Sequence, residues 1–204
     1  MMHQNTNKVH HMTQLALLVA ITLVMAYTPL GYFRTPLLSV SFLTVPVAIG
    51  AILMGPTTGA ILGTVFGLTS FADAFTGGGM KAMLLTINPV YCFITTVFAR
   101  LLCGLVCGLV FCGLNKLLHG SKLSYILAAL VCPAANTLFF MGGIMLFYFN
   151  TDYVQGLCTN YGVTNPFALI AAMVGVQGLI ELVVCGTIAS AVCVPLAKYL
   201  HKKA

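Results

Sequence analysis

The sequence predicts an all-α integral membrane protein, six transmembrane helices in one bundle with both termini in the cytoplasm. Three observations carry this. Of 204 residues, 60% are apolar and 6% are charged, whereas a soluble domain carries about 25% charged residues; such a chain cannot cover a water-facing surface. Mean hydropathy is +1.03. At roughly 20 apolar residues per crossing, the length allows about six spans joined by short loops. A cytosolic enzyme and a disordered chain are thereby excluded. The net charge of +6 comes from short, scattered Lys/Arg clusters that form no basic face. The expected partners therefore include membrane lipid and no nucleic acid, and the positive-inside rule accounts for the charge.

Each element follows from local signals. Residues 1–12 are expected as a polar cytoplasmic tail in which His3, His10 and His11 are solvated. The apolar run 15–25 is a retained helix rather than a cleaved signal, because the segment after it has no small-residue cleavage site. Helix one covers 13–30 and stops at Pro29-Leu30-Gly31; a loop, 32–38, follows. Helix two, 39–54, ends at the Gly55-Pro56 turn. Helix three, 57–74, carries Gly59, Gly63 and Gly67 at four-residue intervals, the small-residue stripe that lets membrane helices approach closely. After a Gly-rich loop, 75–81, come helix four at 86–117, helix five at 123–149, a polar loop at 150–165 and helix six at 166–200. Residues 201–204 form a basic tail, and 13–200 is one membrane domain without an internal repeat.

With six spans, Lys8, Lys116, Lys122, Lys198, Lys202 and Lys203 share one side, while Arg34 and Lys81 share the other. That asymmetry puts both termini inside and turns loops one, three and five, with Asp73 and Asp152, outward. Of the eight cysteines all but Cys158 lie in apolar runs; they read as small packing residues, not as disulfides or metal ligands.

Charged groups inside helices are costly and are functional or paired. Two stand out, Arg100 and Glu181, together with the amides Asn136 and Gln177. Each of Arg100, Asn136 and Glu181 lies about 13–15 residues from its helix's outer end, so at ~1.5 Å per residue they share one level. Cys92, Thr96, Arg100, Cys103 and Cys107 share one helical face, and Gln177 and Glu181 are one turn apart. A polar pocket among helices four, five and six, opening outward, is the expectation. Two readings stay open for Arg100 and Glu181: a structural ion pair, or an Arg clamp for an anionic solute, since its planar fork donates two parallel bonds to a carboxylate. Asn136 is expected to contact solute; Gln177 does so or packs. Asn88-Pro89 reads as a helix-opening turn. Ala16 and Ala20 form a small-xxx-small pair for packing or for docking another membrane protein. Enzyme signatures, metal-binding patterns and a P-loop are missing, so no cofactor is expected and any ATPase is a separate chain.

Several stretches resemble the substrate-binding S components of energy-coupling factor (ECF) vitamin transporters, and within them the pantothenate-type subgroup. These are Tyr27-Thr28-Pro29-Leu30-Gly31-Tyr32, Val45-Pro46-Val47-Ala48-Ile49-Gly50 through Gly55-Pro56, and Gly59-Ala60-Ile61-Leu62-Gly63 through Phe71. Ala99-Arg100-Leu101-Leu102-Cys103-Gly104, Asn136-Thr137-Leu138-Phe139-Phe140 and Gly178-Leu179-Ile180-Glu181 fit as well. Gln177 and Thr44 stand where the subgroup is expected to carry Asn and His. The resemblance implies a six-helix, non-enzymatic subunit that captures a vitamin from outside, pantothenate first, with another vitamin or precursor as the alternative. It implies a transmembrane coupling protein docking on Ala16 and Ala20, two cytoplasmic ATPases, and outer loops that close over the solute. Arg100, Asn136, Gln177, Glu181 and Thr96 are the expected solute contacts. A structural subunit or an embedded enzyme is the remaining alternative.

Overall fold

The computed structural model describes residues 2–34, 39–76 and 79–203. The elements are α1 Met2–Ala26, the antiparallel strands β1 Tyr32–Arg34 and β2 Ser39–Ser41, then α2 Thr44–Met54, α3 Pro56–Thr76, α4 Gly79–Ile87 and α5 Pro89–Phe93. A π-helical turn, Ile94–Phe98, joins α5 to α6 Ala99–Leu117; α7 Lys122–Tyr148, α8 Asp152–Tyr161 and α9 Pro166–Lys203 complete the chain.

Among the described residues, five segments are long and apolar enough to cross a membrane: Lys8–Ala26, Pro56–Thr76, Pro89–Leu117, Lys122–Tyr148 and Gly178–Tyr199. The remaining apolar helix, α2, has 11 residues. At ~1.5 Å per residue it reaches about half the depth of a ~30 Å hydrocarbon core. It compensates by position. The helices pack in series, α3 on α6, α6 on α7 and α7 on α9, with α2 against all four and α1 against α2 and α3. Nearly every α2 residue is accordingly buried, from Thr44 through Ile52.

The structure departs from the expected elements in four places, each with a local cause. Helix one begins at Met2, because no breaker separates the polar residues from the apolar run, and ends at Ala26, since Pro29 excludes α geometry at Thr28. The first residues of expected helix two form a hairpin instead: Tyr32 pairs with Ser41 and Arg34 with Ser39, and the Phe42 N–H closes the base on the Gly31 carbonyl at 2.9 Å. Leu43, 0% exposed, plugs the junction with α2. Helix α8 occupies a stretch expected as loop, and α4 begins at Gly79 inside the expected 75–81 loop and runs into the start of expected helix four. α8 is a regular amphipathic helix with Val154 and Cys158 inward, and Gly162 (φ 65°) ends it while the Val163 N–H bonds back to the Cys158 carbonyl. Finally, expected helix four is interrupted at Asn88. This residue is extended before Pro89, and its side chain accepts from the Val90 and Tyr91 N–H groups, the helix-opening turn read from the sequence.

The hairpin, α4 and α8 gather at one end of the bundle. Lys81 of α4 lies over the Tyr32 ring of β1 at 4.5 Å and pairs with Asp73 near the end of α3 at 3.1 Å. The Tyr148 hydroxyl at the end of α7 shares its proton between the carbonyls of Leu84 and Asn88, at 3.0 and 2.9 Å, and so fixes the α4–α5 break.

Candidate functional site

Three glycines of α3 decide where Arg100 sits. A Cβ on Gly59 would strike the Gly104 carbonyl, one on Gly63 the Arg100 carbonyl, and one on Gly67 would lie 2.7 Å from the Val97 Cα. Backbone therefore rests on backbone along α3 and α6, which no residue with a side chain permits at this separation. Phe66 of α3 then reaches the guanidinium from one element, its ring centroid 5.3 Å from Cζ, and Phe140 of α7 from another at 4.4 Å. Arg100 is 5% exposed.

Just before Arg100 the π turn inserts one residue into the helical period. Its bonds run i to i+5 rather than i+4, and the Arg100 side chain follows that spacing, Nη1 donating to the Thr95 carbonyl at 3.4 Å. Thr96, on the expected face, is buried too, but its hydroxyl donates back to the Cys92 carbonyl at 2.7 Å. The neighbouring Thr95 keeps a buried Oγ1 without a partner. Sequence reasoning missed Thr95 because a strict 3.6-residue period puts it beside the face.

Asn136 lies one turn before Phe140 on α7, on the same side. Its Nδ2 donates to Glu181 Oε1 of α9 at 3.5 Å. Asn136 is 7% and Glu181 6% exposed. Among the described residues, Arg100 has no ion pair within 4.0 Å; the structural Arg100–Glu181 pair that the sequence left open is not formed. Arg100 Nε, Asn136 Oδ1, Thr95 Oγ1 and, on α3, Ser70 Oγ are each buried without a hydrogen-bond partner. Native interiors pair such atoms, and an orphaned donor or acceptor costs about 1–3 kcal/mol, so a solute of matching polarity would recover that cost. Gln177 belongs to α9, one turn before Glu181, and its side chain lies outside the described residues.

These groups are shut off rather than open to the exterior. Beneath Arg100, the Cys103 and Cys107 thiols donate to the α7 carbonyls of Cys132 and Ala128, at 3.1 and 3.4 Å, tying α6 to α7 near Pro133. Two prominent concavities lie elsewhere. One, about 870 Å³, is an apolar groove between α7 and α9 lined by Leu138, Met141, Met145, Ile170 and Leu179. The other, about 420 Å³, lies between α4 and α8. The first has almost no polar lining and the second no buried charge, so the Arg100 cluster stays the candidate site. On α1, Ala16 and Ala20 are both exposed, beside Leu17 and Val24, each 61% exposed.

A protein-family model described as ECF transporter, substrate-specific component, matches residues 10–193. No curated protein matches the chain.

Proposed function

Because the chain belongs to the substrate-specific components of ECF transporters, multi-pass membrane subunits that bind a small molecule while a T component and separate ATPases supply the drive, we propose that it captures a vitamin, pantothenate first, for high-affinity uptake. In this reading α2 counts as a sixth, shortened span, and both termini are cytoplasmic. Arg100 clamps the carboxylate, and Asn136 meets a hydroxyl or amide. Thr96 and Gln177 border the solute, and Glu181 completes the site. Ala16 and Ala20 dock the T component.

One observation carries the reading. A guanidinium withdrawn from solvent, with an unpartnered Nε and no ion pair, lies against the Phe140 ring of α7, one helical turn along from Asn136 and its unpartnered amide oxygen. A carboxylate supplies the missing acceptor, and charge-assisted bonds of this kind are about twice as strong as neutral ones. The absence of Trp leans toward an aliphatic cargo over a stacking one.

Two measurements test it. Mass spectrometry of small molecules released from the purified protein should find pantothenate, and equilibrium binding of labelled pantothenate should saturate at one per chain. Release of a different vitamin would keep the site and replace the cargo. Absence of any bound solute together with no pantothenate binding would defeat the proposal.

A further inference from the structure

The Asn136–Glu181 contact distinguishes the two ends of one amide. An ionised Glu181 carboxylate can only accept, and the group 3.5 Å from its Oε1 is the donor end of the amide, Nδ2. The acceptor end, Oδ1, is left buried and unpartnered. A free amide turns over and offers either end; this one is restrained. Glu181 thus already has one protein donor, the Asn136 amide. Arg100 presents the opposite polarity, an Nε–H donor without an acceptor. The two orphans are complementary to a molecule with an acceptor at one place and a donor at another.

We propose that Glu181 is a positioning residue that fixes the polarity of the Asn136 amide, so that the site takes an acid also bearing a hydroxyl and rejects the same acid with its hydroxyls capped. The inference rests on this cluster being the solute site, and it moves Glu181 from solute contact to orientation of the residue that makes one.

The test reverses the pair. Asn136→Asp combined with Glu181→Gln keeps one carboxyl and one amide, keeps the bond between them with donor and acceptor exchanged, and still presents an oxygen at position 136. Glu181→Gln alone should weaken pantothenate binding by about tenfold, the scale of one misdirected hydrogen bond. Asn136→Asp alone sets carboxyl against carboxyl and should weaken it further. The double variant should return to within about threefold of the parent. The parent should also bind the di-O-methyl ether of pantothenate at least about tenfold more weakly than pantothenate, and Glu181→Gln should lose most of that discrimination. A double variant no better than the weaker single, or a Glu181→Gln protein with undiminished discrimination, overturns the proposal. Melting temperatures of the four solute-free proteins make a second cycle: both singles lowered, the double recovered. If the parent binds no pantothenate, the cargo assignment fails while the melting cycle still judges the pairing. If melting shows no recovery, Glu181 does not hold the amide whatever the cargo.

Discussion

Replacing Arg100 with Met separates the two roles a buried guanidinium can have. Met keeps the apolar stem and removes the charge. In the solute-free protein the variant loses the bond to the Thr95 carbonyl, which at 3.4 Å sits at the low end of the about 1.5–3 kcal/mol typical of charged hydrogen bonds. It also loses the contacts with Phe140 and Phe66, about 1–2 kcal/mol together. Against that, it removes an orphaned Nε–H costing about 1–3 kcal/mol and the desolvation of a charge. These nearly cancel. At about 2–4 °C per kcal/mol for a chain of this size, Tm should move by no more than about 5 °C. Binding does not cancel. A bidentate carboxylate contact loses two charge-assisted bonds, about 3 kcal/mol or more, so Kd for pantothenate should rise at least about a hundredfold. Detergent-phase melting and equilibrium binding on the same preparation read both numbers. A structural charge predicts the reverse: a loss of about 3–5 kcal/mol, hence a fall of about 6–20 °C, with little specific effect on Kd. That pattern, or an unchanged Kd in a folded variant, refutes the clamp.

Other predictions test the surrounding architecture. Gly63→Ala places a methyl on the Arg100 carbonyl and should cost at least about 2 kcal/mol by parting α3 from α6. Gly113→Ala, with nothing within 4 Å, should be neutral or stabilise by up to about 1 kcal/mol; equal losses at the two sites in a melt would show that close packing is not the reason for the stripe. Lys81→Ala removes the partly buried Asp73 pair and the Tyr32 ring contact, which link the hairpin to α4. Solute release measured by stopped flow should accelerate about 3–10-fold, and an unaltered release rate would remove that link from the closure. Ala16→Trp should leave solute binding intact and abolish co-purification with the T component; a variant that still assembles assigns the exposed pair no docking role.

Much of the bundle was legible because membrane helices announce themselves by length and apolarity. The runs that became α3, α6, α7 and the second half of α9 needed no partner to be recognised. The Gly59–Gly63–Gly67 interval foretold a close helix contact, and the structure supplied its partner, the α6 backbone from Val97 to Gly104. The end of the bundle where the hairpin, α4 and α8 gather was less legible. The polar composition of 150–165 reads as loop and outweighs the Val154, Leu157 and Cys158 spacing, which is a helical one. Residues 39–41 read as helix because a three-residue strand between apolar segments leaves almost no periodic signal; cross-strand pairing with Tyr32–Arg34 decides it.

From composition and helical period the chain alone determined that a bundle of apolar, membrane-length helices forms, and the common depth counted for Asn136 and Glu181 agrees with their 3.5 Å contact. Which of the buried polar side chains meet was decided only by the assembled helices. The π turn advances the register by one residue, exchanging Thr96 for Thr95 beside Arg100, and the α3–α6 glycine contact sets the guanidinium between two aromatic rings instead of against Glu181. Hydrogen-bond partners in a protein interior are assigned by distances of a few tenths of an ångström, and those arise from packing between elements far apart in the chain.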